Sequence, residues 1–287
     1  MNNYYVFNKE CCGKRLSQEE SRKIQIEMLD TLAEYCDHHD LRYFLSGGTL
    51  LGAIRHKGYI PWDDDIDVNM PRADCEKLFH DTNGKIGDYV LMEPDMEGFM
   101  PCCEYYRLYN FKIVIENFVG GATKKHPIYH PIFVDIFPIE GLPDTIKKTK
   151  IHYMKLILIR KLQRVAALKH MQAKSFGAHV FHVVAWVPAK VIGYRKWSEW
   201  AQRIAKKYSF EESEYVGVMT APVHTTEERV QKVAYMNVID VPFEEKYYHA
   251  PGNYDVYLSQ LYGNYMEMPP EEKQRSHHQF KMYWRKE

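Results

Sequence analysis

The stretch from Ser46 to Val68 reads SGGTLLGAIRHKGYIPWDDDIDV, and it ends in Asp63, Asp64, Asp65 and Asp67, interrupted only by Ile66. Carboxylates this close repel one another by roughly 1 kcal/mol per pair even in a water-like dielectric. A fold keeps such a group together only when something cationic sits on it. Ile66 and Val68 alternate with the acids and are β-branched, which predicts a strand with one apolar and one acidic face. On a regular strand Asp63, Asp65 and Asp67 share a face while Asp64 points away. An oxygen-only face of this kind suits Mg²⁺ or Mn²⁺.

Three other readings compete on these residues alone. A solvated acidic turn is the commonest fate of an aspartate run. An EF-hand loop would place Asp63, Asp65, Asp67 and Asp74 at its first, third, fifth and twelfth positions. Val68 then stands where a glycine must make the sharp turn, and the last ligand should be Glu. The acid-x-acid motif of metal-dependent glycosyltransferases is the third rival. What lies upstream separates them. A short apolar run, Tyr43 to Leu45, meets Ser46, Gly47, Gly48 and Thr49, and a helical stretch is expected from about Thr49. Two glycines let the backbone approach a phosphate, and free N–H groups at a helix start point at it. A phosphate-cradling turn followed closely by acids that bring a metal is a more specific combination than either element alone.

The block from Ser46 to Val68, continuing to Met70, Pro71 and Arg72, closely resembles the LicD family of phosphotransferases, related to the fukutin-type enzymes within the nucleotidyltransferase superfamily. Two further blocks extend the likeness along the chain: Phe133 to Pro138 with Gly141, Leu142 and Pro143, and Tyr254 to Leu258 followed by Tyr262 to Met266, Pro269 to Glu272 and His277. The resemblance implies an α+β fold, a nucleotidyltransferase-like mixed sheet flanked by helices. It also implies a metal held by Asp65 and Asp67 from one strand and Asp135 from a neighbour, with Asp63 as an added ligand. By the same resemblance the donor is a CDP-alcohol such as CDP-choline and CMP leaves. The acceptor is a hydroxyl of a cell-surface glycan or its lipid-linked precursor. Asp135 is the expected acceptor of the hydroxyl proton. Arg55 and Lys57, with His56 between them, follow the glycine turn and are expected to reach the donor's phosphates. Arg107 and Lys112, in a strand-like run from Tyr105 to Ile115, are weaker candidates. Choline recognition calls for aromatic faces, and Trp62, beside the acids, is the one aromatic that stands out. A glycosyltransferase using a nucleotide sugar and a catalytically dead scaffold are the readings from other classes.

At 287 residues, with 45% hydrophobic and 26% charged residues, the chain can bury a sizeable core. The expected organisation is a catalytic core over residues 1–145, a basic helical segment over 146–210, and the C-terminal part of the catalytic domain over 211–287. Ser17 and Glu20 form a capping box that opens a helix through about His39, with Ile24, Met28, Leu32 and Cys36 along one face. The cysteines lack zinc-knuckle spacing, and no export signal stands at the start, so reduced thiols and a cytoplasmic location at the inner face of the membrane are expected.

Net charge is zero, yet between Asp144 and Glu199 there is no acid and there are twelve Lys or Arg. Met154, Leu156, Ile157, Leu158, Ile159, Leu162 and Val165 supply an apolar side to this basic stretch. A second apolar run, Phe176 to Ile192, is broken by His179, His182, Pro188 and Lys190 and is too polar for a span. A basic amphipathic helix is the pattern of an interfacial membrane anchor, against the plainer reading of a helix that covers the sheet. No nucleic-acid recognition motif accompanies the charge, and no nucleic-acid partner is expected. Near the end, Pro269 and Pro270 should stop regular structure; Arg275, His277 and His278 are expected in a polar tail, with an approach to the site as the alternative.

Overall fold

A computed structural model describes residues 7–94, 103–117, 127–167, 184, 186–221, 224–276 and 280–286. Two compact units divide the chain: residues 1–92, 106–137 and 233–287 form one, and residues 93–105 and 138–232 the other.

The first unit is built on a sheet. Strand β1 (Cys12–Arg15) leads into helix α1 (Gln18–His38), then β2 (Phe44–Leu45), α2 (Gly47–His56), β3 (Asp67–Pro71) and α3 (Arg72–Thr82). Short strands β4 (Lys85–Ile86) and β5 (Tyr89–Met92) precede the long β6 (Tyr106–Asn117), and β7 (Ile128–Leu142) follows. The hairpin β10 (Ile239–Phe243) and β11 (Lys246–Ala250), helix α6 (Tyr254–Tyr262) and β12 (Lys281–Arg285) complete the unit. Sheet order is β1-β12-β6-β7-β3-β2, with β5 on the side of β6 and β4 on β5. The α+β class expected from the sequence is the one found.

Local chemistry explains these elements. The Ser17 hydroxyl accepts from the Glu20 N–H while Glu20 reaches back to the Ser17 N–H, closing the capping box that starts α1. Met28, Leu32 and Cys36 are fully buried on one stripe of that helix, as their spacing predicts. Strands β6 and β7 pair antiparallel and place Arg107 opposite Asp135, with Leu108 and Val134 buried beside them. Their apolar, β-branched runs are those of strands covered on both faces. Pro269 and Pro270 stand outside regular structure as expected, just ahead of a single 3₁₀ turn at Glu271–Lys273. Cys36 and Cys75 are buried thiols outside any disulfide.

In the second unit the last residues of β7 pair with β8 (Tyr215–Val218), which pairs with β9 (Val230–Gln231). Helices α4 (Ile146–Ala167) and α5 (Tyr194–Ala205) pack through Tyr153, Leu156, Ala201 and Ala205 at one end and Val165, Ala166 and Trp197 at the other. Among the described residues no helix is long and apolar enough to cross a membrane.

Candidate metal and phosphate site

The expectation of a strand running from Asp63 requires correction. Regular pairing begins at Asp67, and Asp63 to Ile66 form an irregular segment. The reason lies in where the backbone carbonyls go. The Arg22 guanidinium of α1 donates to the carbonyls of Ile60 (3.0 Å), Pro61 (3.0 Å) and Asp63 (2.8 Å). One turn on, the buried Gln25 amide donates to the Asp64 carbonyl at 3.0 Å. Gln25 is itself fixed by the Tyr59 hydroxyl, and Arg22 lies over the Tyr59 ring at 4.6 Å. Carbonyls spent on a helix are not available to a neighbouring strand, so alternation of side-chain direction fails here.

The consequence is chemical. Asp64, expected to face away, joins Asp63 and Asp65: one carboxylate oxygen from each lies within 4.8 Å of the others. The three offer an all-oxygen donor set of the type that hard divalent cations take. Burial raises the Asp63 carboxyl to about 8, and the neighbouring Asp65 and Asp64 charges push the same way. The Asp64 carboxylate also accepts from the Ser276 hydroxyl at 3.0 Å.

Asp67 is positioned by its backbone. Its N–H donates to the Thr49 hydroxyl (2.9 Å), and its carbonyl accepts from the Ser46 N–H (3.0 Å). Its carboxyl is held well above the usual range by burial, then by Asp65, Asp135 and Asp63, with Arg107 opposing. Asp135 adjoins this group, and its N–H donates to the Ile66 carbonyl at 3.0 Å. Both its oxygens accept from Arg107, from Nε and from Nη2, in a buried bidentate pair. The Arg107 guanidinium also stacks over Phe133 at 4.0 Å. A carboxylate held this way is stabilised in its charged form, which favours a fixed anion over a proton carrier.

The glycine turn stands against the same acids. Helix α2 starts at Gly47, two residues before the start expected at about Thr49, with no side-chain cap from Ser46. The N–H groups of its first turn therefore have no partner within the helix. Gly47 has φ +50°, and a Cβ at Gly48 would fall 2.7 Å from an Asp63 carboxylate oxygen. The left-handed φ favours glycine at position 47, and a side chain at position 48 would displace the Asp63 carboxylate. The Ser46 hydroxyl instead meets the Tyr257 hydroxyl of α6 at 3.1 Å, so Ser46 and Thr49 shape the turn through Tyr257 and Asp67.

Arg55 and Lys57 lie at the other end of α2, about 12–15 Å along its axis from Gly47. Arg55 donates to the carbonyls of Tyr265 (2.8 Å) and Glu267 (3.2 Å), and Lys57 to that of Ile54 (3.1 Å). Trp62 meets His56 edge to face at 6.5 Å, toward that end as well. Lys112 pairs with Asp88 at an exposed position. His277 and His278 lie outside the described residues, as does residues 176–183 of the second apolar run.

Comparison with known proteins agrees with this architecture. Residues 40–155 match the family described as LicD/FKTN/FKRP, nucleotidyltransferase domain. The lipopolysaccharide cholinephosphotransferase LicD of Haemophilus influenzae is 28% identical over 270 residues, covering 92% of this chain and 97% of that protein. An uncharacterised protein of Rickettsia prowazekii is 37% identical over 146 residues, 47% of this chain and 51% of its own length. The mouse ribitol 5-phosphate transferase FKRP is 45% identical over 51 residues, 17% of this chain and 10% of its own length.

Two outcomes follow. Arg22→Met should lower stability to urea by about 2 kcal/mol, as expected for losing charged hydrogen bonds to carbonyls. Gln18→Ala, whose bond to the Pro61 carbonyl is exposed and 3.5 Å long, should cost far less. The raised Asp63 carboxyl sets a pH slope. The folded state keeps its proton up to about pH 8, while the unfolded chain loses it near pH 4. Stability of the protein in chelator should therefore rise as pH falls from 8 toward 5. Thermal melts of Asp63→Asn should show a shallower rise over the same window.

Proposed function

We propose that this chain, which belongs to the LicD family, is a transferase that moves a phospho-alcohol group from a CDP-alcohol to a hydroxyl of a glycan. The observation that carries this reading is the meeting of the Gly47–Gly48 helix start with the clustered carboxylates of Asp63, Asp64 and Asp65. A turn with free N–H groups receives phosphate oxygens. Carboxylates alone at that spot would repel them. A cation between them would reconcile the two features.

Asp63, Asp64 and Asp65, with Asp67 adjoining, are the residues that would hold Mg²⁺ or Mn²⁺, and their donor set fits such an ion. A bound ion supplies neutralisation of the phosphate oxygens as charge develops on them. The chain's own residues do the placing. The first turn of α2 orients the donor's phosphates, and Thr49 and Ser46 fix Asp67 against that turn. In the reaction the acceptor oxygen forms a bond to the distal phosphorus of the donor. The bond from that phosphorus to the bridging oxygen breaks, and CMP leaves. The acceptor's proton passes to a carboxylate of the site. For Asp135 to take it, one of the two bonds from Arg107 must open, so Asp135 with Arg107 is assigned a fixed charge beside Asp67.

The names of two relatives, a cholinephosphotransferase acting on lipopolysaccharide and a ribitol 5-phosphate transferase, support a phospho-alcohol as the transferred group and a glycan as acceptor. Choline phosphate is the first choice, since the cholinephosphotransferase is similar over nearly the whole chain. With Trp62 turned to His56, a cation–π contact to choline requires Trp62 to present its free face.

Incubation with Mg²⁺, a glycan acceptor and a panel of CDP-alcohols should release CMP, with CDP-choline turned over fastest. Asp65→Asn should lower the rate by at least about a thousandfold with the thermal melt retained. Release of UDP from a nucleotide sugar, or full turnover by the variant, contradicts the assignment.

A further inference from the structure

Helix α4 buries one face against its unit and leaves the other to solvent. Its inward face carries Tyr153, Leu156, Val165 and Ala166 together with the polar Thr149, His152, Arg160 and Gln163. The Thr149 hydroxyl donates to the Pro143 carbonyl, and Arg160 to the Thr220 carbonyl. The outward face is the unusual one. Every exposed residue from Ile146 to Arg164 is aliphatic or cationic: Ile146, Ile151, Met154 and Leu158 among Lys147, Lys148, Lys150, Lys155, Lys161 and Arg164. Ile151, Met154 and Leu158 are 50–59% exposed and fall at helical spacing, so they form one stripe with lysines on both sides. A second exposed stripe in the same unit, Val184, Val187 and Val191, is 65–80% exposed.

Water solvates a helix face with acids, amides and hydroxyls as readily as with lysines. A face that uses only aliphatic and cationic residues discriminates among partners. It repels cationic surfaces, and it offers its apolar stripe where negative charge lies alongside hydrocarbon. The absence of any acid between Asp144 and Glu199 extends that sign over the whole segment. An acidic protein groove would leave the flanking lysines unequally matched, whereas a plane of anionic headgroups matches lysines on both flanks of a straight stripe. The helix is 22 residues long, about 33 Å, and none of the described helices suits a span. It can lie along a bilayer without crossing it.

We propose that the outward face of α4 binds the surface of an anionic phospholipid bilayer, with Ile151, Met154 and Leu158 inserted at the headgroup boundary and the lysines on the phosphates. The inference does not rest on the donor or acceptor assigned above, and its test needs neither.

Sedimentation of the full chain is to be measured with vesicles of phosphatidylcholine alone and of equal parts phosphatidylcholine and phosphatidylglycerol. The chain should partition to the anionic vesicles, less to the neutral ones, and added salt should release it. The triple substitution Ile151→Ser, Met154→Ser, Leu158→Ser should reduce partitioning at least about tenfold, with circular dichroism and the thermal melt unchanged. Because these residues are solvent-facing the variant should fold. Lys147→Gln, Lys150→Gln, Lys155→Gln reads the same surface through charge and should abolish the preference for anionic vesicles. The proposal is overturned if the native chain ignores both vesicles or if the serine variant partitions as the native chain does. It is equally overturned if light scattering finds a dimer that the serine variant converts to monomer, which assigns the stripe to a second copy.

Discussion

Crowding of the Asp63, Asp64 and Asp65 carboxyl groups is the constraint on which the first unit is organised. Left to itself, an acidic run spreads its charges into water. Here the backbone is held at four successive places, Ile60, Pro61, Asp63 and Asp64, by two side chains of α1. Asp67 is then clamped from both its N–H and its carbonyl by Thr49 and Ser46. The held backbone keeps the carboxyl groups close, and the effect appears in Asp63 and Asp67, whose acidity is weakened by burial and by their neighbours. A cation at this cluster, as proposed, would relieve a crowding that the fold has already imposed.

The supporting structure follows from that need. Helix α1 earns its long buried stripe of Met28, Leu32 and Cys36 because a rigid element must carry Arg22 and Gln25. Arg107 beside Asp135 adds a positive charge that acts on Asp67, placed there by strand register between β6 and β7. The glycines of α2 remove side chains where Asp63 and the helix start come close. Arg55 ties α2 to the segment after α6 through the carbonyls of Tyr265 and Glu267. That role explains a basic residue at the far end of the helix without calling on the donor.

Much of this was legible in the sequence, where the signal is local. The capping box at Ser17, the strand–turn–helix at Ser46 and the apolar runs around Leu108 and Val134 all depend on residues a few positions apart. The direction of Asp64 did not show, because it depends on Arg22 and Gln25, separated from it by about forty residues and by a turn. One signal was present: Gln18, Arg22 and Gln25 recur at helical spacing beside the apolar stripe of α1, a polar row with long arms where small residues would suffice. The outward stripe of α4 was equally hidden. Hydrophobic periodicity tells which residues share a face, and it is silent on which face the rest of the unit covers. Met154 and Leu158 look outward while Arg160 looks inward, where the Thr220 carbonyl accepts from it.

The most direct measurement is an anomalous difference map from crystals grown with Mn²⁺ and a CDP-alcohol. A peak on the carboxylate oxygens of Asp63, Asp64 and Asp65, with the nucleotide's phosphates at the first turn of α2, is the result expected. An ordered nucleotide bound elsewhere, with no peak at those acids, contradicts the account.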